Sequence, residues 1–355
     1  MDFYTSKSTT NFNINNIKNT NIIDIKLPWV EKYRPKNSKE ILLEPFIKQK
    51  IEKILETKSI PNMIITGEPG TGKTSTILFL AKQIYGDKYS ENVLELNASD
   101  DRGLSIINNT IYPFCKKKTS CLNNKSDKYP NHKLVILDEA DSITPKAQNL
   151  LSNIISEFRK NTRIVFICND CTQIIESIQS RCMIIKYPRI NSDNLYQKIE
   201  YICQNEQIPY TIDGINTLLF VSDQDIRQSI NNLECIYYSF GKLEEEIVYK
   251  LIDRPKPYYI SEILKECYAN DYIKTINIVK SLYNKGYTPN DILLTFMKYL
   301  FENNNENNIL LKEETKLKIY EIISLCYIRV NGGIDTLLQL CGCISKIFLY
   351  LQNDK

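Results

Sequence analysis

Met63-Ile64-Ile65-Thr66-Gly67-Glu68-Pro69-Gly70-Thr71-Gly72-Lys73-Thr74 decides the fold of this chain. The apolar run Met63-Ile64-Ile65 is short and bounded by Pro61 and Gly67, which reads as a buried strand. Thr74–Tyr85 carries Ile77, Leu80, Ala81 and Ile84 at helical spacing, and Gly86 stands where a helix stops. Between them, Gly67–Thr74 fits the pattern GxxxxGK[ST]. Glycines at those positions let backbone N–H groups turn inward and cradle phosphate oxygens. The helix that follows points its positive end at the same anion. Gly67, Glu68, Pro69, Gly70, Thr71, Gly72, Lys73 and Thr74 are therefore the candidate nucleotide-binding residues. Lys73 supplies charge for the β- and γ-phosphates, and the Thr74 hydroxyl is a magnesium ligand. ATP and Mg2+ are the expected ligands. An unused glycine turn is the bland alternative, and the flanking strand and helix argue against it.

Downstream, Leu134-Val135-Ile136-Leu137-Asp138-Glu139-Ala140-Asp141 is an apolar strand that ends in two acids. Alone, that ending is common where loops begin. Beside a phosphate loop it supplies the missing chemistry: Asp138 as a metal-site carboxylate, and Glu139 to orient and polarise water. Asn169 follows another apolar run, Ile164–Cys168, where a polar side chain can bond water and the γ-phosphate. Taken alone it is an ordinary turn residue. Arg181, in Gln179-Ser180-Arg181-Cys182, is a surface charge on the bland reading. An arginine supplied to a neighbour's phosphates has an electrostatic purpose, because it stabilises charge developing in the transition state.

Val93–Leu96 and Met183–Tyr187 complete a set of five short apolar runs alternating with helical stretches. That alternation predicts a parallel sheet covered on both faces. Lys39–Glu56 reads as a helix with Ile41, Phe46, Ile51, Ile54 and Leu55 as its apolar positions. The Asn/Thr/Ser/Lys-rich stretch 1–26 reads as a disordered tail. Residues 27–190 form the expected nucleotide-binding domain, 191–253 a small helical lid, and 254–355 an all-helical domain suited to assembly. A polar loop from Cys115 to His132 reads as surface-exposed and mobile.

The bulk numbers exclude several classes. A chain of 355 residues has room for two or three domains and a sizeable core. Net charge is +3, so any DNA contact must come from a local basic face or from several subunits together. No apolar run approaches membrane-spanning length, and the N-terminus lacks the order of a secretory signal, so an intracellular protein without membrane contact is expected. The 11 cysteines are scattered, and no second CxxC completes a zinc site. Cys115, Cys121 and the only histidine, His132, share one polar loop, which chance explains.

Further segments carry a family resemblance: Pro28-Trp29-Val30-Glu31-Lys32-Tyr33-Arg34-Pro35, Glu95–Gly103, Leu137–Ser142 and Ile175–Cys182. With Gly67–Thr76 they resemble replication factor C small subunits over most of the N-terminal two-thirds. The resemblance implies an α/β P-loop AAA+ module with a parallel sheet, a helical lid and an all-α C-terminal collar domain. It implies Val30, Tyr33 and Arg34 near the adenine, Asn169 as first sensor, Arg181 as an arginine finger acting in trans, and Arg227 as second sensor. The usual glycine before that lid helix is Gln224 here.

It also implies a small subunit of a sliding-clamp loader, a DNA-replication ATPase that opens the clamp and loads it on primer–template DNA. The implied partners are the other subunits of a hetero-pentamer, the sliding clamp and primer–template DNA. The implied compartment is nuclear in a cellular eukaryote, or the host-cell replication site for a viral protein. Two alternatives remain open at this point. One is an ATP-binding structural subunit that does not hydrolyse, against which the complete Asp138-Glu139 pair argues. The other is a subunit of another AAA+ DNA-processing machine. The chain departs from the family after Arg102-Gly103. Expected basic positions are Asn108, Thr110 and Tyr112, Pro113 should end the helix, and Lys116-Lys117-Lys118 follow at once.

Overall fold

The computed structural model describes residues 27–35, 37, 40, 42–99, 104–117, 130–252, 254–302 and 312–353. The expected tail 1–26, the segment Asp100–Gly103 and Cys121 lie outside the described residues.

Five strands form the first layer: β1 (Met63–Gly67), β2 (Val93–Asn97), β3 (Lys133–Asp138), β4 (Thr162–Cys168) and β5 (Met183–Tyr187). All pairings are parallel, in the order β2-β3-β4-β1-β5. The register sets Thr66 beside Cys168, Gly67 beside Tyr187, and Asn97 beside Asp138. The phosphate loop, Asp138 and Asn169 thus leave the sheet at one carboxyl edge, where open α/β sheets bind ligands. Gly67 is needed for this register, since a Cβ there would stand 2.4 Å from the Tyr187 carbonyl oxygen.

The central strands read as continuous apolar runs because both faces are covered. Met63, Ile65, Val165 and Ile167 face one core, with helices α2 (Pro45–Thr57) and α3 (Lys73–Tyr85). Ile64, Val135, Ile164 and Phe166 face the other, with α7 (Pro145–Glu157) and the helical run 104–116. The shorter helices α1 (Trp29–Lys32), α4 (Tyr89–Asn92) and α8 (Glu176–Gln179) lie between the longer elements in the chain.

Two expectations about helices need correction. The helix expected over Lys39–Glu56 is α2, and it begins at Pro45. Proline suits a first turn, where its missing N–H has no partner to lose, and would break a helix interior. The shift leaves Phe46 exposed and buries Ile47, Ile51 and Ile54. Ile41 lies outside the described residues. The second correction concerns Pro113, which does not end its helix. The run comprises α5 (Leu104–Ile106), a wide π turn (Ile107–Ile111) and α6 (Tyr112–Lys116). The Tyr112 N–H donates to the Ile107 carbonyl five residues back. Widening the turn moves the ladder off the proline ring, so the helix passes Pro113 and buries Cys115.

Of the loop expected between Cys115 and His132, residues 118–129 lie outside the described residues; the two end residues, Cys115 and His132, are buried. His132 Nε2 accepts the Ile60 N–H at 3.3 Å, and Tyr85 packs edge-on against the ring. Among the described residues no group of three His, Cys, Asp or Glu side chains is placed to hold a metal. Burial, helped by the Arg163 charge, lowers the His132 pKa from 6.5 to about 4. Folding therefore favours the neutral ring. The contribution, about 3 kcal/mol, is complete above pH 6.5 and is lost as pH falls from 6.5 through 4. His132→Gln should flatten the pH dependence of the denaturation midpoint across that window. An unaltered slope there would contradict this assignment.

The helices α9 (Ser192–Asn205), α10 (Ile212–Val221), α11 (Ile226–Phe240) and α12 (Glu245–Leu251) share a third core. Trp29 of α1, 4 % exposed, is inserted in it, and its backbone N–H donates to Glu234 at 3.0 Å. The N-terminal strap is therefore fastened to these helices. Trp29→Ala should cost about 3–5 kcal/mol, read in the unfolding of this helical unit by circular dichroism. A change within 0.5 kcal/mol, typical of a surface site, would mean the insertion is not structural.

Helices α13 (Pro257–Tyr268), α14 (Tyr272–Asn284), α15 (Pro289–Glu302), α16 (Glu313–Asn331) and α17 (Leu337–Asn353) enclose a fourth core rich in Leu and Ile. Among the described residues, no helix is long and apolar enough to cross a membrane.

Candidate nucleotide-binding site

A cavity of about 260 Å³ opens between the carboxyl edge of the sheet and α9 and α11. Pro69–Thr74 form its floor, and Asp138, Glu139 and Asn169 its far wall. Val30, Tyr33 and Arg34 close it from the strap, and Arg227 enters from α11. Gly67 and Glu68 do not line it. Their carbonyls accept the Lys73 ammonium at 2.6 and 2.8 Å, and the Glu68 carboxylate pairs with Arg189 at 2.5 Å.

Lys73 is 8 % exposed, and its ammonium also donates to Asn169 Oδ1 at 3.0 Å. Burial pulls its pKa below the usual lysine value, and the nearby Arg227 adds to that effect. Asp138 and Asp141 act against it. The ammonium is thus held by the Gly67 and Glu68 carbonyls and Asn169 Oδ1. The Thr74 hydroxyl donates to Asp138 Oδ2 at 2.9 Å, so the two expected metal ligands meet directly. Magnesium is usually held by one or two carboxylates and substrate phosphates rather than by an all-protein cage. A threonine hydroxyl beside one carboxylate at the head of a phosphate cradle fits that chemistry.

Glu139 sits in the left-handed region, φ 53° and ψ 41°. A non-glycine residue there costs roughly 1–2 kcal/mol, and such outliers cluster where function requires them. Its neighbour fastens the turn, because Asp138 Oδ1 accepts the Glu139 N–H at 2.9 Å. Asp141, which the sequence reading left without a role, accepts the Asn169 N–H at 3.1 Å and so ties β3 to the end of β4.

The helical unit α9–α12 meets the glycine loop of residues 67–74 through Asp225. This residue caps α11, accepting the Arg227 and Gln228 N–H groups at 2.7 and 3.2 Å. Its carboxylate lies where a Cβ on Gly70 would project, 2.0 Å from that position, so only glycine allows the approach. Gln224 keeps the left-handed backbone, φ 59°, that a glycine would adopt freely. Arg181 is not brought to this cavity. It is exposed, with Nε donating to Ser156 Oγ at 3.2 Å and Nη1 to the Ser177 carbonyl at 2.5 Å.

Comparison with known proteins places this geometry in a family. The model of the ATPase family associated with various cellular activities matches residues 63–189, and that of the replication factor C C-terminal domain matches residues 255–346. A probable replication factor C subunit 2 from Dictyostelium discoideum is 38 % identical over 327 residues, covering 92 % of this chain and 94 % of the relative. This chain belongs to the replication factor C small-subunit family. The replication factor C subunit 2 of Arabidopsis thaliana is 34 % identical, covering 92 % of this chain and 95 % of that one. Among solved structures, the Thermotoga maritima RuvB Holliday junction branch migration motor superposes with TM-score 0.51 over 81 % of this chain and 98 % of that one. At 14 % identity that likeness speaks to the fold alone.

As a replication factor C family member, the chain is an AAA+ ATPase-family subunit with a parallel-sheet module and a helical C-terminal domain. Motif reading singled out Pro69–Thr74, Asp138, Glu139 and Asn169, which the structure brings to one cavity. It missed Leu42, Ile190, Lys198, Ile226 and Ile230, which also line that cavity. Glu206, also unforeseen, accepts the Tyr33 hydroxyl and the Lys32 ammonium, both at 2.5 Å. Burial, reinforced by Glu206, raises the Tyr33 pKa, so the phenol stays protonated and donating. Asp225 alone carried a sequence signal, a capping residue directly before an apolar helical run.

Proposed function

We propose that this chain is a hydrolysing small subunit of a sliding-clamp loader, one that uses ATP to open the clamp and load it on primer–template DNA. The observation that carries the proposal is the convergence of Lys73, Thr74, Asp138 and Asn169 within hydrogen-bond distance, with Glu139 on the same wall. In this reading the backbone of Pro69–Thr74 and Lys73 bind the triphosphate. Thr74 and Asp138 would hold magnesium, which supplies positive charge for the transferred phosphoryl group. Glu139 orients the attacking water, Asn169 fixes its position relative to Lys73, and Arg227 reports nucleotide to the lid. Val30, Tyr33 and Arg34 take the adenine.

Arg181 serves the adjoining subunit's ATP. Its exposure and its absence from the lining of its own cavity support that role, since an arginine acting in cis would line the cavity. The proposed domains are 27–190 for the nucleotide-binding module, 191–253 for the lid and 254–355 for the collar that joins subunits in a hetero-pentamer. The replication compartment, nuclear or in a viral host cell, follows from the same reading.

The experiment is clamp loading itself. The complex carrying this chain, given ATP, its sliding clamp and primed DNA, should retain clamp on circular DNA. Lys73→Ala in this chain should abolish that retention. Full loading by the Lys73→Ala complex would remove the proposal.

A further inference from the structure

The cavity carries a cation that none of the nucleotide motifs supplies. Lys198, on the cavity face of α9, lines the wall and is only part-exposed. Its ammonium lies 5.4 Å from the Tyr201 ring centre and makes no ion pair among the described residues. Among the other cations of the wall, Lys73 is held by carbonyls and Asn169, and Arg34 by Glu31 at 2.8 Å, while Arg227, on α11, has no ion pair among the described residues either.

The location of Lys198 follows from its neighbours. Tyr201 meets Tyr33 edge-on, with centroids 6.4 Å apart and an 88° interplanar angle. Tyr33 is in turn fixed by Glu206. Through Tyr201 and Tyr33, Lys198 is linked to the strap side of the cavity, whose lining also includes the aliphatic side chains of Val30, Ile190, Ile226 and Ile230. A flat base fits an aliphatic slot. A cation at its rim faces the ring nitrogens and ribose hydroxyls, which are hydrogen-bond acceptors.

We infer that Lys198 is a nucleotide-contacting residue that binds the base and ribose end of the ligand. This rests on the nucleotide reading of the cavity and adds to it an affinity determinant on the lid. Because α9 carries Lys198, and Glu206 at its end holds the strap, base recognition and lid position are one event: a bound base ties α9 and the strap to the phosphate loop.

The test is isothermal titration of the full-length chain with Mg·ATP and with Mg·ADP. Lys198→Met keeps the length and apolar stem and removes the charge. It should weaken both nucleotides by the same factor, about tenfold, the size expected for one hydrogen bond to a charged group. Lys198→Arg should restore most of the affinity. Unchanged affinity for both nucleotides overturns the inference, and so does a loss confined to ATP, which would place Lys198 at the γ-phosphate. Lys198→Gln, titrated in parallel, keeps the test decisive if the methionine variant folds poorly. Failure of the wild-type chain to bind either nucleotide would overturn the nucleotide reading itself, and the inference with it.

Discussion

Arg181→Ala should leave nucleotide binding at this chain's own cavity unchanged and lower turnover at the adjoining site by about 10³–10⁵-fold. The size follows from electrostatics: a guanidinium brought to a transferring phosphoryl group stabilises charge that water would otherwise have to solvate. The direction follows from placement. Arg181 stands just past α8, exposed and held in outline by Ser156 and the Ser177 carbonyl. No carboxylate pairs with it among the described residues, so its charge is available to a second subunit. The measurement is phosphate release from the assembly with only the adjoining site left active. Unchanged release would show that Arg181 is the ordinary surface charge of the bland reading.

Glu139→Gln is the second large effect. Turnover at this chain's own site should fall by about 10²–10⁴-fold, the usual contribution of a positioned general base, while ATP affinity stays the same. Glutamine preserves shape and the left-handed turn, so the loss isolates the carboxylate. Binding is kept because Lys73, Thr74 and the loop backbone are untouched. The assay is single-turnover hydrolysis with the other sites silenced. Turnover equal to wild type would favour the alternative of a structural subunit that binds ATP without cleaving it.

How much of this was legible depended on whether a residue's partner was near it in sequence. The phosphate loop reads directly because strand, glycine turn and helix are contiguous, and the physics of cradling an anion is local. Asp138 and Asn169 read next, because apolar strands announce themselves and their carboxyl ends fall at one edge of a parallel sheet. Phe46 misled the helix assignment, since its hydrophobicity outweighed the boundary that Pro45 sets. Pro113 misled it the other way: a π turn over Ile107–Ile111, just before it, absorbs the proline, and nothing in the local pattern signals that turn. Glu206, Lys198 and the contact of Asp225 with Gly70 were invisible, because each joins segments far apart in the chain. The strap shows the same limit. Its motif marked a family, and only the fold reveals that Trp29 is built into the core of helices α9–α12.

Native mass spectrometry of the complex that co-purifies with this chain from its own source tests the central claim most directly. The account predicts a five-subunit assembly in which this chain sits beside related subunits, so that Arg181 has a neighbour's phosphates to serve. A homo-hexamer, or a monomer without related partners, would contradict it.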